Sequence, residues 1–212
     1  MIFPSYYHAP ISYYAVLLNS DQSISIETHD HYSKQTYRNR CRIMGANGVL
    51  SLIVPVVKEH GRKTWMKDVR IEYDAPWQRI HWQSIISAYA SAPFFEFFED
   101  SYRYIYEKEY TFLADLNMDL LRSTQDVLQL NIHLSDSEEY TPQAQDADLS
   151  ASIHPKKKFE HRHFLFHPVR YHQVFADRHG FQPDLSILDL LFNEGPNAPG
   201  ILKRSVSVTI PG

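Results

Sequence analysis

The sequence has little of what stabilises secreted proteins or anchors membrane proteins. It contains one cysteine, Cys41, so an internal disulfide cannot form, and a lone cysteine is typical of a reducing compartment. No run approaches the roughly 20 apolar residues of a membrane span. The first residues, Met1 to Pro4, lack the basic and apolar regions of a signal peptide. We therefore expect a cytoplasmic protein with no membrane insertion.

An excess of positive charge is also missing. The 21 Lys and Arg residues are outnumbered by 25 Asp and Glu residues, and the formal net charge is −4. Domains that bind nucleic acids are usually basic, so we expect no nucleic-acid partner, although a local anion site is compatible with this charge. With 43% apolar residues in 212 positions, the chain is predicted to form one domain over 1–212, or at most two small ones.

The pattern of apolar residues predicts an α/β fold. Residues 1–10 contain a short apolar run typical of a strand, residues 11–19 have helical spacing, and residues 23–28 alternate as a strand does. Because strand–helix–strand is the unit that builds parallel sheets, we expect a Rossmann-like start and a mainly parallel or mixed sheet. The turn signal at 45–48 precedes a further predicted strand over Val49 to Val57.

The middle of the chain is predicted to be helical. After another predicted strand, Lys67 to Tyr73, Asp74 is a candidate N-cap for the first of three helices, the last of which covers about Glu109 to Leu128. The segment around 136–158 is polar with few apolar residues, and we predict that it is mobile. The last residues, Ser205 to Ile210, alternate and are consistent with an edge strand or a tail.

Nine consecutive residues, Lys34 to Arg42, contain four cations and no acid, and we call them the basic segment. In a helix, Lys34, Arg38 and Arg42 would share one stripe; in a strand, Arg38, Arg40 and Arg42 would share one face. Guanidinium groups bind phosphate and carboxylate through paired hydrogen bonds, so this segment is the first candidate site. The alternative is a charged face that is merely solvated.

Two further candidates follow predicted strands, and the carboxyl ends of strands are where ligands of open α/β sheets gather. After the second strand, Glu27 or His29 suits a general base. His29, Asp30 and His31 also invite a metal-binding interpretation, but no third ligand group at a recognised spacing is present, so no metal is predicted. His8 follows the first strand. That placement resembles nucleotidylyltransferase-type Rossmann-like folds, whose full His-x-Gly-His motif is absent here.

A third region lies near the end of the chain. Asp189 falls within an apolar helix predicted over Asp184 to Phe192, and a carboxylate in such a place usually needs a cation partner. We expect an arginine from positions 38–42 to be that partner and to hold the basic segment in place. His167 and Gln173 belong to a run rich in hydrogen-bonding groups just before this helix.

Taken together, these segments resemble the WbqC-like protein family. The matching parts run in order over nearly the whole chain: the Tyr-x-x-Pro-x-x-Tyr-Tyr pattern from Tyr7 to Tyr14, Lys34 to Arg40, Leu52 to Val56, Trp77 with His81 and Trp82, Ala88-Tyr89 before Pro93 to Phe95, Leu116-Asn117, His167-Pro168 with Gln173, and Leu185 to Pro196. The stretches Lys34 to Arg40 and Leu185 to Asn193 are the specific ones. Longer members carry a Ser-Gly-rich segment where this chain has residues 136–158, so the resemblance implies a short form.

The resemblance implies a role in surface-polysaccharide synthesis of the O-antigen type, where glycine or other acyl transfer to a sugar has been suggested for members. Together with the residue arguments above, this makes three residues candidate catalytic groups: His8, Glu27 and His29. Seven more are candidate substrate- or anion-binding groups: Lys34, Tyr37, Arg38, Asn39, Arg40, His167 and Gln173. Asp189 is the expected structural partner of an arginine.

Three interpretations stay open. The first is an enzyme, with transferase as the candidate class, acting on an anionic or nucleotide-linked sugar. The second is a non-catalytic ligand-binding or assembly protein of the same pathway. In the third, the basic segment is structural and pairs with Asp189 and Glu27 in the core. The expected partner is a small molecule such as a nucleotide sugar, a sugar phosphate or a carboxylate, and the sequence indicates neither a cofactor nor an oligomeric state.

Overall fold

The computed structural model describes residues 1–20, 23–57, 63–130, 132–136, 149, 151–161 and 163–208. In chain order the elements are β1 (Ile2–Pro4), α1 (Ile11–Leu18), β2 (Ser23–Glu27), β3 (Arg40–Gly45), β4 (Gly48–Ile53), α2 (Trp77–Tyr89), α3 (Phe95–Phe98), α4 (Asp100–Glu107), α5 (Leu113–Leu128), β5 (His133–Asp136), β6 (Phe164–Phe166), α6 (Ala176–His179), α7 (Ile187–Glu194), α8 (Ala198–Arg204) and β7 (Val206–Val208). The predicted α/β class is confirmed. None of these helices combines the length and apolar character needed to cross a lipid bilayer.

A parallel sheet is built from β1, β2 and β5, with β2 in the centre. Phe3 on β1 lies opposite Ile26 on β2, and both side chains are buried. The crossover helix α1 is buried from Ile11 to Leu17. Its own apolar residues and tyrosines lie on all of its faces, which is typical of a buried helix. The predicted strand–helix–strand start is therefore confirmed, with parallel pairing of its two strands.

The other strands do not extend this sheet. Among the described residues, β3 pairs only with β4 and β6 only with β7, both antiparallel. The described residues therefore form three small sheets, where a single mainly parallel or mixed sheet was predicted. Each strand is only three to six residues long.

The hairpin of β3 and β4 decides the conformation of half of the basic segment. Cys41 and Ile43 are buried, while Arg40 and Arg42 alternate with them and are half-buried. This period of two is that of a strand, so the extended alternative holds for residues 40–42. Gly48 follows the turn with φ of 111°, a conformation that favours glycine, and the predicted turn at 45–48 is confirmed.

The segment Lys67 to Tyr73 differs from the predicted strand. It begins in a 3-10 helix over Met66–Asp68, and Ile71 makes only an isolated bridge with Val56. Ile71 is buried as a strand residue would be, but the facing segment contains Pro55, which has no N–H to donate. No continuous ladder forms for that reason.

One hydrophobic core includes side chains from Phe3 to Val206. Of the segment predicted to be mobile, residues 137–148 and 150 lie outside the described residues. In its described part, Leu149 and Ile153 are buried in this core. Near the end of the chain, β7 lies within the predicted strand Ser205 to Ile210, whose last two residues are also outside the described part. The single domain over 1–212 stays a prediction.

Candidate functional site

The loops that follow β1 and β2 are bound to each other at the carboxyl end of the parallel sheet. The backbone N–H of Tyr7 donates to the carbonyl of Tyr37 over 2.9 Å. Asn117 on α5 bridges the two loops: its Nδ2 donates to the carbonyl of Arg38 at 2.9 Å and contacts Ser5 Oγ at 3.3 Å. The basic segment therefore passes directly over the end of β1, and Asn117, which the sequence offered only as part of a family motif, fixes it there.

Arg38 is a structural arginine in this arrangement. Its guanidinium group binds both carboxylate oxygens of Asp30, with Nη1 3.1 Å from Oδ1 and Nη2 in contact with Oδ2. The side chains are 5% and 17% exposed, so the pair is largely shielded from water. The Asp30 carbonyl accepts from the Met66 N–H over 2.8 Å. The charge of Arg38 is thus neutralised within the loop, as a buried charge requires.

Tyr37 and Asn39 on either side are also buried. The Tyr37 ring lies 5.8 Å from the Tyr6 ring, and burial raises the pKa of Tyr37 above its usual range. Asn39 Nδ2 donates to the carbonyl of Val54 at 2.8 Å, and the Val54 N–H donates to the carbonyl of Asn39 over the same distance. These two predicted binding residues therefore anchor the basic segment to the core.

Arg40 has a different environment. It lies near the hydroxyl of Tyr32: burial raises the pKa of Tyr32, and the charges of Arg40 and Arg38 oppose that shift. The charge of Arg40 also acts on a second basic stretch. Burial lowers the pKa of His154 there, and the charges of Lys157, Lys156 and Arg40 lower it further. Lys156 Nζ in turn hydrogen-bonds to Gln35 Oε1. We call Arg40, His154, Lys156 and Lys157 the basic cluster.

Among the described residues, no carboxylate lies within ion-pair distance of Arg40, Lys156 or Lys157. Lys156 and Lys157 are exposed, as is Lys34, which precedes Gln35. Within the basic segment, Arg40 is therefore the main remaining candidate for binding an anion, and the exposed Lys34 is a second one. Lys156 and Lys157, which sequence reasoning missed, belong to a run of three lysines, 156–158, that begins three positions after the apolar Ile153.

Glu27 and His29 lie where the sequence placed them, at the carboxyl end of β2. Glu27 is buried, and its Oε1 accepts the backbone N–H of His29 over 2.6 Å. His29 lines a cleft of about 660 Å³ together with Lys108 and Asp119. Partial burial raises the pKa of Asp119, but the bonds from Lys108 Nζ, at 2.9 Å, and from Tyr110 Oη outweigh burial and lower it.

His8 lies in the interior, only 1% exposed. Its Nε2 is 2.8 Å from Tyr106 Oη, which is 2.7 Å from Tyr7 Oη, and Tyr7 Oη is 2.9 Å from His81 Nδ1. Burial, with a contribution from His81, lowers the pKa of His8 to about 3, and burial lowers that of His81 to about 4. Both histidines are therefore neutral at pH 7 within one buried chain of hydrogen bonds.

The expected pairing of Asp189 with an arginine is wrong. Asp189 is fully buried and accepts three neutral donors: Tyr89 Oη at 3.0 Å, Tyr171 Oη at 2.6 Å and Gln173 Nε2 at 2.9 Å. Burial raises the pKa of the carboxyl group, and these bonds oppose the shift. The described neighbours therefore satisfy the carboxylate oxygens without a guanidinium group.

An arginine of the basic segment nevertheless reaches the loop before α7. Arg42 Nη2 donates to the carbonyl of Asp184 at 3.1 Å, and the N–H of Ser186 donates to the carbonyl of Arg42 over 2.8 Å. Gln173, a predicted binding residue, serves the Asp189 network. His167 is exposed and hydrogen-bonds to Ser207 at 3.1 Å. No contact within the described part of the chain brings His167 or Gln173 to the basic cluster.

No group of three or more His, Cys, Asp or Glu residues within the described ranges is placed to hold a metal ion. The cationic side chains are instead suited to an oxyanion. The arrangement is that of a mixed α/β protein whose basic cluster adjoins the loops after a small parallel sheet.

The chain belongs to the WbqC-like protein family, whose sequence profile matches residues 5–165. The resemblance drawn from the motifs is thereby confirmed. The chain is also similar to the uncharacterized protein Rv1507c of Mycobacterium tuberculosis, with 27% identity over 197 residues that cover 81% of this chain and 84% of that protein. A search of the solved structures found no match.

Proposed function

We propose that this protein is an enzyme of surface-polysaccharide biosynthesis that binds an anionic or nucleotide-linked sugar at the basic cluster. The observation that carries the proposal is the accumulation of Arg40, Lys156 and Lys157 without ion-paired carboxylates among the described residues. Unpaired cations repel one another, and a bound oxyanion relieves that repulsion. The class of reaction proposed is transfer, with acyl or glycyl transfer to the sugar as its specific form.

The place of the cluster supports this choice. The β1–α1–β2 unit is parallel, and we propose that it corresponds to a Rossmann-like half, in which ligands bind beyond the carboxyl ends of strands. The loop after β2 supplies Asp30 and Arg38, whose ion pair holds the chain just before Arg40. The lone Cys41 favours a cytoplasmic place of action, where nucleotide-linked substrates would be met.

Proton transfer is assigned to His29 and Glu27. His29 borders an open cleft. Its backbone N–H donates to the Glu27 carboxylate, so His29 is open to solvent and its position is fixed by Glu27. His8 is the weakest of the three catalytic candidates, because burial holds it neutral and its Nε2 is bonded to Tyr106. We assign His8 to the interior network.

Ligand-induced thermal shifts test the binding step. UDP-glucose, UDP-N-acetylglucosamine and GDP-mannose are each added to the wild-type protein, and at least one is expected to raise its melting temperature. Arg40→Ala should abolish the shift, whereas Arg79→Ala, at an exposed position on α2, should keep it. Comparing shifts rather than absolute melting temperatures separates binding from any loss of stability. Absence of a shift with every nucleotide sugar, sugar phosphate and amino acid would contradict the proposal.

A non-catalytic ligand-binding or assembly role in the same pathway is the second candidate. The burial of His8 favours it, because one of three proposed catalytic groups then has no access to substrate. Complementation of a deletion strain separates the two functions. Full restoration of surface polysaccharide by both Glu27→Gln and His29→Ala, with loss in Arg40→Ala, would favour the binding protein; loss in either of the first two supports the enzyme.

A further inference from the structure

A turn far along the chain meets the basic segment. Lys156 Nζ hydrogen-bonds to Gln35 Oε1 across 121 positions of sequence. The charges of Lys157, Lys156 and Arg40 all act on His154, after burial, to lower its pKa. Cations from two distant stretches of the chain thus act on one histidine.

The turn is held in place by its own contacts. The Lys157 N–H donates to the carbonyl of His154 over 3.2 Å, and the Lys156 N–H donates to His154 Nδ1 over 3.1 Å. Directly before it, Ile153 is buried in the core, and its carbonyl accepts from Tyr6 Oη at 2.9 Å. The lysines therefore stand on an anchored turn, so binding an anion there requires little ordering of the backbone.

The charge of the cluster exceeds what a single carboxylate or phosphate group neutralises. Arg40, Lys156 and Lys157 have no ion-paired carboxylate within the described residues, and Lys34 is exposed beside Gln35. A phosphate monoester carries about 1.5 to 2 negative charges at pH 7, and a carboxylate carries one. A ligand with two adjacent phosphate groups carries more negative charge and therefore matches these cations better.

We propose that the His154–Lys157 turn and Arg40 together bind a diphosphate group. Arg40 provides the planar fork that suits phosphate oxygens, and the lysines provide point charges on flexible side chains. This inference rests on the proposed function, because it assigns to the same basic cluster the diphosphate of a nucleotide-linked substrate. It adds that residues 154–157 are part of the site.

Calorimetric titration with inorganic pyrophosphate and inorganic phosphate tests the inference without any sugar. The wild-type protein should bind pyrophosphate at least tenfold more tightly than phosphate. The double variant Lys156→Ala with Lys157→Ala should lose at least tenfold in pyrophosphate affinity and less in phosphate affinity. Lys203→Ala with Arg204→Ala removes two exposed cations from α8 and should leave both affinities within twofold.

Three results would overturn the inference. They are failure of pyrophosphate to bind the wild-type protein, unchanged binding in the 156/157 variant, and an equal loss in the α8 control, which would make net charge the cause. Glutamine replacements at 156 and 157 repeat the test with longer side chains, and circular dichroism verifies the fold of each variant. The proposed function is judged separately by the nucleotide-sugar shifts: a wild-type shift lost in Arg40→Ala leaves it standing even if pyrophosphate binding does not depend on residues 156 and 157.

Discussion

Arg38 and Asp30 form a two-point ion pair that is largely shielded from water. The pair closes the loop between β2 and β3, and it removes one arginine of the basic segment from contact with a ligand. Arg40, two positions further on, has no ion-paired carboxylate among the described residues. Asp30 therefore neutralises Arg38 and leaves the neighbouring Arg40 without this partner.

Loss of Asp30 should destabilise the protein. Asp30→Ala leaves the Arg38 guanidinium buried without a counter-charge, and we expect the free energy of unfolding to fall by about 3 kcal/mol. Urea denaturation measures it, with Asp100→Ala as control, since the Asp100 side chain is 86% exposed. In the double variant Asp30→Ala with Arg38→Met, the loss should be smaller than the sum of the two single losses. Additive losses would show that the pair is not coupled.

Asp189 should tolerate neither an amide nor a charge swap. In Asp189→Asn, the new NH₂ group cannot accept a hydrogen bond and faces one of the three donors that now bind the carboxylate. A buried group left without a partner lowers the free energy of unfolding by about 1–3 kcal/mol. Exchange of charges in Arg40→Asp with Asp189→Arg should not restore stability, because the Asp189 carboxylate is bound by Tyr89, Tyr171 and Gln173. Denaturant unfolding compares these variants with Asp177→Asn at an exposed position. Recovery in the charge swap would reinstate the arginine pairing.

Because of the two buried histidines, the free energy of unfolding should decrease as the pH is lowered. The pKa of His8 is lowered to about 3 and that of His81 to about 4, whereas an unfolded histidine titrates near 6.5. Between these values the unfolded chain binds more protons than the folded one, so lowering the pH favours unfolding. The expected slope between pH 6 and pH 5 is about 1.4 kcal/mol per pH unit for each histidine. Urea unfolding across this range measures it.

Variants assign that slope to its source. His81→Gln should remove about half of the histidine contribution, because one titrating group is gone. His133→Gln, at an exposed position of β5, should leave the slope unchanged. An identical slope in the wild-type protein and in His81→Gln would mean that His81 is protonated to the same extent in both states.

The core contact of the stretch before the His154 turn is testable in the same way. Leu149 is fully buried, and removing most of a buried leucine side chain costs about 2–5 kcal/mol. Leu149→Ala should therefore lower the free energy of unfolding within that range, whereas Leu165→Ala, at a position 49% exposed, should cost far less. A neutral Leu149→Ala would mean that this stretch does not contribute to the core. The turn at 154–157 would then lose its anchor.

Gly195 should be intolerant of a side chain. It ends α7 with φ of 50°, and a Cβ atom there would lie 2.5 Å from the ring of Phe94. Gly180→Ala is a matched control, because Gly180 has φ of 71° but open space around it, so it bears only the backbone cost of about 1–2 kcal/mol. Gly195→Ala should lower the melting temperature clearly more than this control. Equal effects would show that the Phe94 ring moves aside freely.

The sequence predicted helices and strands well where the apolar residues of a segment repeat with a single helical or strand period. The apolar run of α1 and the alternation of β2 gave the parallel unit, and Cys41 and Ile43 alternating with Arg40 and Arg42 form β3. The strand predicted at 67–73 failed although its alternation was correct, because a strand needs a partner and Pro55 limits the one available. Glu27 and His29 lie at the end of β2 as predicted, their catalytic role stays a prediction, and the lysines at 156 and 157 were not predicted.

What the sequence determined by itself is therefore the family, the α/β class, the first parallel unit, the hairpin turn and the location of a basic segment after a strand. These follow from neighbours a few positions apart, whose spacing decides which face is apolar. Only the tertiary structure decided which arginine is neutralised, that tyrosines and a glutamine bind Asp189, and that Lys156 hydrogen-bonds to Gln35 of the basic segment. Such pairings join residues far apart in the chain, and they depend on how loops close over a shared core, which no local period records.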